Sequence, residues 1–354
     1  MSYEWKNVLL GPDATLRDAL LLIDAEGLRI ALVVDSEQNL LGAVTDGDIR
    51  RSLLKNMSLE QKVSNSMNKN PLISDKHATR NDLVNLMQKH NILSIPIVDN
   101  GRLIGLEELH SSSDKTIIIQ NPVFIMAGGF GKRLSPLTDN CPKPLLKLGD
   151  QPLLEIQLEH FISAGFNDFY ISTHYLPEMI KNHFGDGSKW NVNIQYIHEE
   201  KPLGTGGALG LLPKNIPQLP MIMINGDILT KVNFRKMLDF HNDRQSSATM
   251  CIRDYEVKIP FGVIQGEDGS INSMLEKPVY SYFINTGIYI INPEIIKNVS
   301  QNKHIDMPNV LENCINKGFH ISMFPMHEYW LDIGNMKDFE KAQQAFKDGS
   351  FFYK

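Results

Sequence analysis

Between Met126 and Leu148 the chain runs Met-Ala-Gly-Gly-Phe-Gly-Lys-Arg-Leu-Ser-Pro-Leu-Thr-Asp-Asn-Cys-Pro-Lys-Pro-Leu-Leu-Lys-Leu. Gly128, Gly129 and Gly131 follow the apolar run Val123-Phe124-Ile125-Met126, which reads as a buried strand. Glycines in that place let backbone N–H groups close on phosphate oxygens where a Cβ would clash. Arg133 and Lys143 add fixed positive charge beside those amides. A short glycine cluster by itself is ordinarily a turn. Here it comes with an arginine two residues past its last glycine and with Pro142-Lys143-Pro144 further on. The segment is no Walker A loop, because Gly131-Lys132 is followed by Arg133 rather than Ser or Thr. Nor is it a dinucleotide fingerprint, since its three glycines fall within four residues.

The elements that must position these groups follow from pattern. From residue 117 on, apolar strands alternate with helical periodicities, the mark of an α/β fold with a mostly parallel sheet. Strands are expected at 117–119, 123–126, 169–173, 194–198, 221–224 and 248–253, and helices at 153–164, 177–184 and 336–346. In such sheets ligands lie beyond the carboxyl ends of the strands. Polar clusters stand at those ends: Glu199 to Gly207, Asn225-Gly226-Asp227, and, between and beyond them, Phe261-Gly262, Glu276-Lys277-Pro278, Asn285-Thr286-Gly287 and Trp330-Leu331-Asp332-Ile333-Gly334.

The 126–148 segment resembles the signature of the sugar-phosphate nucleotidyltransferases, here closest to the guanylyl-transferring (mannose-1-phosphate) group. That pattern is Gly-Gly-x-Gly-x-Arg-Leu, Pro-Leu-Thr, then Pro-Lys-Pro, and every element is present. The resemblance implies a Rossmann-like, glycosyltransferase-A-like sheet and transfer of a nucleoside monophosphate from a triphosphate onto a sugar 1-phosphate, with release of pyrophosphate. It implies catalytic roles for Arg133 and Lys143, and nucleotide contacts from Gly128, Gly129, Gly131, Glu199, Pro202, Gly204 and Thr205. Asp227 and Asp332 would share one Mg²⁺, while Gly262, Glu276, Lys277, Asn285 and Thr286 would hold the sugar phosphate. A carboxylate only accepts hydrogen bonds. Glu199 therefore favours guanine, whose N1–H and 2-amino group are adjacent donors, over uracil or thymine. GTP is the expected donor, with uridylyl or thymidylyl transfer as the alternative. The plain reading of Glu199 as a solvated loop carboxylate stays open, as does a regulator whose transferase half is inactive. His160, His174 and His241 read as packing or surface residues, because a sugar 1-phosphate is already an anion and needs no general base.

The first 115 residues repeat themselves. Ile30-Ala-Leu-Val-Val-Asp35 returns 64 residues later as Ser94-Ile-Pro-Ile-Val-Asp99, and Thr15 returns as Thr79, each a candidate N-cap before an amphipathic helix. Each unit reads as helix, apolar strand, Asp turn, second strand ending at Gly42 or Gly105, then helix. The repeat resembles a pair of CBS domains, expected over 1–115 and joined by the polar stretch Ser111–Thr116 to a transferase over 116–354. In that family a Thr or Ser and an Asp three residues on meet an adenine nucleotide, which implicates Thr45 and Asp48. The second unit has Glu108 and Ser111 there instead. A simple cap on the helix near Ile49 accounts for Thr45 and Asp48 equally. CBS pairs commonly associate, so a homo-oligomer is expected.

Bulk properties agree with these expectations. The 354 residues are 42% hydrophobic and 21% charged, with a net charge of −6, so no basic field invites nucleic acid or an anionic membrane. Three cysteines without CxxC spacing argue for a reducing cytoplasm and against a disulfide or zinc framework. The first residues lack a signal-peptide core, and no β-helix repeat follows the catalytic half.

Overall fold

The computed structural model describes residues 5–26, 30–55, 57–90, 92–109, 118–348 and 351. The chain divides into two compact units, Met1–Thr116 and Ile117–Tyr353, and the polar stretch Ser111–Thr116 lies outside the described residues.

In the first unit the helix Leu16–Glu26 packs on a three-stranded sheet, in which Leu9–Leu10 runs parallel to Ile30–Val34 and Leu40–Thr45 runs antiparallel to it. Leu16, Ala19, Ile23, Ala31, Val33, Val44, Ile49 and Leu53 form its core. The repeat recurs as the helix Arg80–His90 and the hairpin Ser94–Asp99 with Arg102–Glu108. Thr15 and Thr79 cap their helices alike, each hydroxyl donating to the Asp three residues on, at 2.8 and 2.6 Å. One expectation is corrected: the second strands do not end at glycine but run through Gly42 and Gly105 to Thr45 and Glu108. Gly42 is small because the Asn68 carbonyl, bridged to Ala43, would lie 2.7 Å from a Cβ there.

The second unit is built on a seven-stranded sheet. Its order is Asn193–His198, Asp168–Thr173, Val123–Met126, Met221–Asn225, Val279–Ile291, Ala248–Lys258, Ile321–Pro325. The first four strands are parallel, and Val279–Ile291 is antiparallel to both neighbours. The parallel strands read as unbroken apolar runs because both faces are covered. Val123, Ile125, Phe169, Ile171, Ile222 and Ile224 face the layer of Leu154, Phe161 and Phe234. Phe124, Tyr170, Met221 and Met223 face Leu209, Met307 and Leu311 on the other side. The carboxyl ends of those four strands therefore fall along one rim, at Met126, Thr173, His198 and Asn225.

The sequence pattern had not shown Val279–Ile291, the longest strand, nor Ile321–Pro325, and it had stopped Ala248–Lys258 at Arg253. The expected 117–119 strand reduces, within the described residues, to one bridge between Ile119 and Phe166.

Two histidines of this unit are held neutral by burial. His160 packs against Phe234, and loss of solvent pushes its pKa down from 6.5 to about 4. His241, bonded to Thr249 and Asn292, is lowered for the same first reason. Because the folded values lie below the unfolded ones, the unfolded chain binds more protons as the pH falls. The His160 contribution, on the order of 3 kcal/mol, is then fully present above about pH 6.5 and is lost toward pH 4, and His241 acts in the same direction. His160→Gln should flatten the melting temperature across that window; an unchanged pH slope would contradict the assignment.

Candidate active site

The glycine loop leaves the strand Val123–Met126 and closes through a 3-10 turn, Lys132–Leu134. Gly131 is there for two reasons: its φ is +64°, and a Cβ would sit 2.9 Å from Thr138 Cγ2 and 3.1 Å from Lys143 Cβ. The loop can thus lie directly against the segment that carries Lys143. At Gly128 a Cβ would lie 2.9 Å from Glu199 Oε1, so the missing side chain brings loop backbone against that carboxylate.

Lys143 sits in the turn Lys143–Leu145 with its side chain buried, and its Nζ is 2.7 Å from Asp227 Oδ2. Asp227 is positioned by Gly226, whose N–H donates to the Met126 carbonyl at 2.8 Å and whose Cβ, if it had one, would run into that oxygen. About 100 residues later in sequence, Trp330–Asp332 pairs antiparallel with Ile228–Thr230, Asp332 opposite Ile228. The Ile333 N–H donates to the Asp227 carbonyl at 3.0 Å. This small ladder makes the two aspartates neighbours. Arg133 Nη2 and Asp332 Oδ1 both lie 3.4 Å from the point where a Gly334 Cβ would be, so Gly334 is the bare patch over which they meet. Burial, and then the charge of Asp227, push the Asp332 carboxyl above its ordinary range; Lys143 and Arg133 pull the other way. A carboxylate whose charge is opposed by burial and by a neighbouring carboxylate suits a hard divalent cation. Mg²⁺ takes one or two carboxylates and fills its octahedron with water and phosphate oxygens.

Beside them a cleft of about 260 Å³ opens, walled by Gly128, Gly129, Phe130, Lys143, Glu199, Pro202, Gly204, Thr205, Asp227 and Asp306 among others. Glu199 is 4% exposed, which sets aside its reading as a solvated loop residue. Its Oε2 accepts from the Leu203 N–H at 3.0 Å, and its own carbonyl is 2.6 Å from His174 Nδ1. Phe130 stands at the mouth, edge-on to His174 at 5.2 Å and tilted against Tyr175 at 5.6 Å.

Asp306, which sequence reasoning missed, holds this wall. Its Oδ1 accepts from the Thr205 N–H at 3.0 Å and from the Thr205 hydroxyl at 3.3 Å. The Thr205 hydroxyl oxygen in turn accepts from Met307 N at 2.9 Å. Gly204, at φ +76°, leaves the space for that contact, since a Cβ would be 2.8 Å from Asp306 Oδ1. The available signal was Asp306 as N-cap with Pro308 inside the first turn of the helix Met307–Asn316.

Arg133 and Asp332 border this cleft's Lys143–Asp227 side without lining it. Gly262, Glu276, Lys277, Asn285 and Thr286 lie elsewhere, on or beyond the ribbon formed by Ala248–Lys258 and Val279–Ile291. Glu276 Oε2 is 3.2 Å from the place of a Gly262 Cβ, and Lys277 Nζ is 3.9 Å from Glu276 Oε1, both side chains exposed. Asn285 donates to Tyr289 Oη at 2.6 Å and accepts from Gly287 N at 3.0 Å. The Thr286 hydroxyl is buried and donates to the Cys251 carbonyl at 2.8 Å. Its backbone carbonyl accepts from Trp330 Nε1 at 2.9 Å, which ties the ribbon's base to the strand bearing Asp332.

In the first unit, Thr45 and Asp48 form a reciprocal capping box at the start of the helix Asp46–Leu54. The Thr45 hydroxyl donates to Asp48 Oδ2 at 2.6 Å, and Arg51 donates to Oδ1 at 2.7 Å. The same Thr-x-x-Asp cap recurs at Thr15–Asp18 and Thr79–Asp82. No helix among the described residues is long and apolar enough to cross a membrane.

Comparison with known proteins agrees with this architecture. Residues 3–55 and 62–106 each match the CBS domain. The mannose-1-phosphate guanyltransferase of Debaryomyces hansenii is 33% identical over 228 residues, 61% of each chain. The chain spans about 61% of the length of the curated relatives it matches. Among solved structures, a glucose-1-phosphate thymidylyltransferase from Bacillus anthracis shares the fold (TM-score 0.53, 23% identity, 64% of this chain and 95% of the other). HddC from Yersinia pseudotuberculosis, complexed with GMP-PN, aligns with a TM-score of 0.50 at 28% identity, over 64% of this chain and 99% of the other. The nucleotidyl transferase family model matches residues 123–349, and with the glycine loop, the buried lysine and the paired aspartates all inside that span, the chain belongs to the nucleotidyl transferase family.

Proposed function

We propose that this protein transfers GMP from GTP onto a sugar 1-phosphate, giving a GDP-sugar and pyrophosphate. The observation that carries the reading is the buried Glu199 carboxylate, held against the glycine loop in the same cleft as Lys143 and Asp227. With Oε2 engaged by Leu203 N–H, Oε1 is the oxygen turned to the loop, and one carboxylate oxygen can accept from two converging donors. Guanine offers such a pair; uracil and thymine would turn carbonyls toward it. The guanyltransferase names of the curated relatives and the GMP-PN complex of HddC support the same base, and those names favour mannose 1-phosphate as the acceptor.

The obstacle in this reaction is repulsion between two phosphate anions brought into line, so positioning and fixed charge carry the catalysis. The amides of Gly128, Gly129 and Gly131 hold the triphosphate, and Arg133 neutralises the departing pyrophosphate. Lys143 orients the α-phosphate from beside Asp227, and Lys277 guides the incoming phosphate while Glu276 and Asn285 bond sugar hydroxyls. Mg²⁺, held by Asp227 and Asp332, supplies the counter-charge to the phosphate oxygens when bound. The three free cysteines fit a cytoplasmic setting. Pyrophosphate release, measured for four NTPs against a panel of sugar 1-phosphates, tests the reading. GTP should give the highest kcat/KM, and a preference for UTP or dTTP would overturn the base assignment. Glu199→Gln should erode the preference for GTP by about tenfold, since an amide pairs one donor and one acceptor as a pyrimidine edge requires. Unchanged relative kcat/KM values would remove Glu199 from base reading.

Residues 1–115 are, in this reading, a regulatory and assembly module for the transferase over 116–354. An adenine nucleotide at Thr45 and Asp48 must compete with the capping box for both side chains. Heat stabilisation by AMP or ATP, about 2.7 kcal/mol at 100 times Kd, should be seen in the full chain and lost in Thr45→Ala. A flat response to both nucleotides would leave Thr45 and Asp48 as a helix cap.

A further inference from the structure

Beyond the sheet's last pairing with Met221–Ile224, the strands 253–258 and 279–284 continue as a two-stranded ribbon. Ile321–Pro325 stops at Ile252, so among the described residues neither outer edge of the ribbon has a strand beside it. Its faces differ. Cross-strand partners share a face, so Tyr255 with Tyr282 and Val257 with Tyr280 lie on one side, and Tyr255 and Tyr282 are 55% and 57% exposed.

The two edges also differ in charge. The 253–258 edge reads Arg-Asp-Tyr-Glu-Val-Lys, and charges of that density are how proteins keep an open edge from pairing. The 279–284 edge reads Val-Tyr-Ser-Tyr-Phe-Ile and carries none. An uncharged, apolar open edge is a template for another strand.

We propose that the 279–284 edge pairs antiparallel with the same strand of a second copy of this chain, about a two-fold axis at Ser281. A two-fold perpendicular to a sheet keeps each residue on its own face, so the axis must fall on a residue, and opposing numbers add to a constant. With the axis at Ser281, Tyr280 meets Tyr282 of the second copy and Val279 meets Phe283. The two exposed large apolar side chains of the edge, Tyr282 and Val279, each gain a large apolar partner, and the small, exposed Ser281 sits at the axis. On the other edge the two central axes are costly, and the only register that opposes Glu256 to Lys258, an axis at Val257, lies off centre. An axis at Glu256 sets it against itself, and one at Tyr255 sets Asp254 against Glu256, like charges that destabilise a cross-strand pair. The result is a four-stranded ribbon with the tyrosine faces of both copies continuous. This contact belongs to the transferase unit and is separate from any assembly through the CBS repeats.

Ser281→Cys in the full chain tests it. Residues facing each other across an antiparallel ladder have Cα atoms about 4.5–5.5 Å apart, within reach of a disulfide. Mild oxidation should link Ser281→Cys chains in pairs on a non-reducing gel and leave Lys258→Cys, at the charged edge, unlinked. Ser281→Lys and Ser281→Glu should each lower the mass by light scattering, and mixing them should restore it, because Lys then faces Glu. Failure of Ser281→Cys to link, linkage no better than Lys258→Cys, or an undiminished mass for Ser281→Lys would each overturn the proposal.

Discussion

Arg133→Ala is expected to lower turnover by ~10²–10³ while leaving the fold intact, the usual cost of removing one preorganised charge from a transferring phosphate. Arg133 is exposed at the end of the glycine loop, so truncation empties no core and the melting temperature should hold within about a degree. Its guanidinium lies over Gly334 beside Asp332, where charge from a polyphosphate would accumulate. The loss should appear in kcat far more than in the KM for the sugar phosphate, since binding of the acceptor is assigned to the ribbon. Arg133→Lys keeps the charge without the bidentate fork and should recover only part of the rate. Retention of more than about half of the parent turnover by the alanine variant would take Arg133 out of the mechanism.

Much of the site was legible because its parts obey local rules. Glycines that must let backbone pass appear as Gly128, Gly129 and Gly131 directly after an apolar strand, and the structure gives each of two of them a physical neighbour, Glu199 and Lys143. Asp227 was legible as a carboxylate after an apolar strand, whereas Asp332 and its nearness to Asp227 came only from the resemblance and from no local pattern. That nearness depends on a three-residue ladder between 228–230 and 330–332, too short to leave a periodicity. Burial of Glu199 depends on the following turn folding back so that Leu203 N–H reaches it, a tertiary fact. Asp306 announced itself only as a helix cap, and its partner Thr205 is about 100 residues away in sequence.

The same distinction governs the fold. Strands buried on both faces write themselves as apolar runs, and 123–126, 169–173, 194–198 and 221–224 were found within a residue of their ends. Val279–Ile291 is buried along 286–291 but exposed or half-exposed along 279–285, and Asn285-Thr286-Gly287 sits at the join. No single period covers such a strand. Its backbone bends where Gly287, at φ +76°, lets Asn225 approach within 2.6 Å of the missing Cβ. The strand end expected at Gly42 failed for a related reason: that glycine serves a close backbone approach by Asn68, not a turn.

Asp227→Asn and Asp332→Asn should each raise the Mg²⁺ concentration needed for half activity by at least about tenfold, since even loss of a supporting contact to a metal ligand costs 10–100-fold. The two variants should differ when no metal is added. Asp227 is 2.7 Å from the buried Lys143 ammonium, so Asp227→Asn strands a buried cation and should melt lower than the parent. Asp332 is the reverse case. Its pKa is raised in the fold by burial and by Asp227, so whatever it contributes is present below the unfolded carboxyl pKa and lost as the pH rises through the folded value. At neutral pH its ionised form is a net cost to the metal-free protein, and Asp332→Asn should melt at the same temperature as the parent or above it. Activity and stability are thus expected to move in opposite directions at Asp332 and together at Asp227. Mg²⁺ titrations and melting curves on the three proteins decide the matter: if both variants respond to Mg²⁺ as the parent does, the cation is held elsewhere, and if Asp332→Asn melts well below the parent, its carboxylate is a structural anion rather than one held ready for metal.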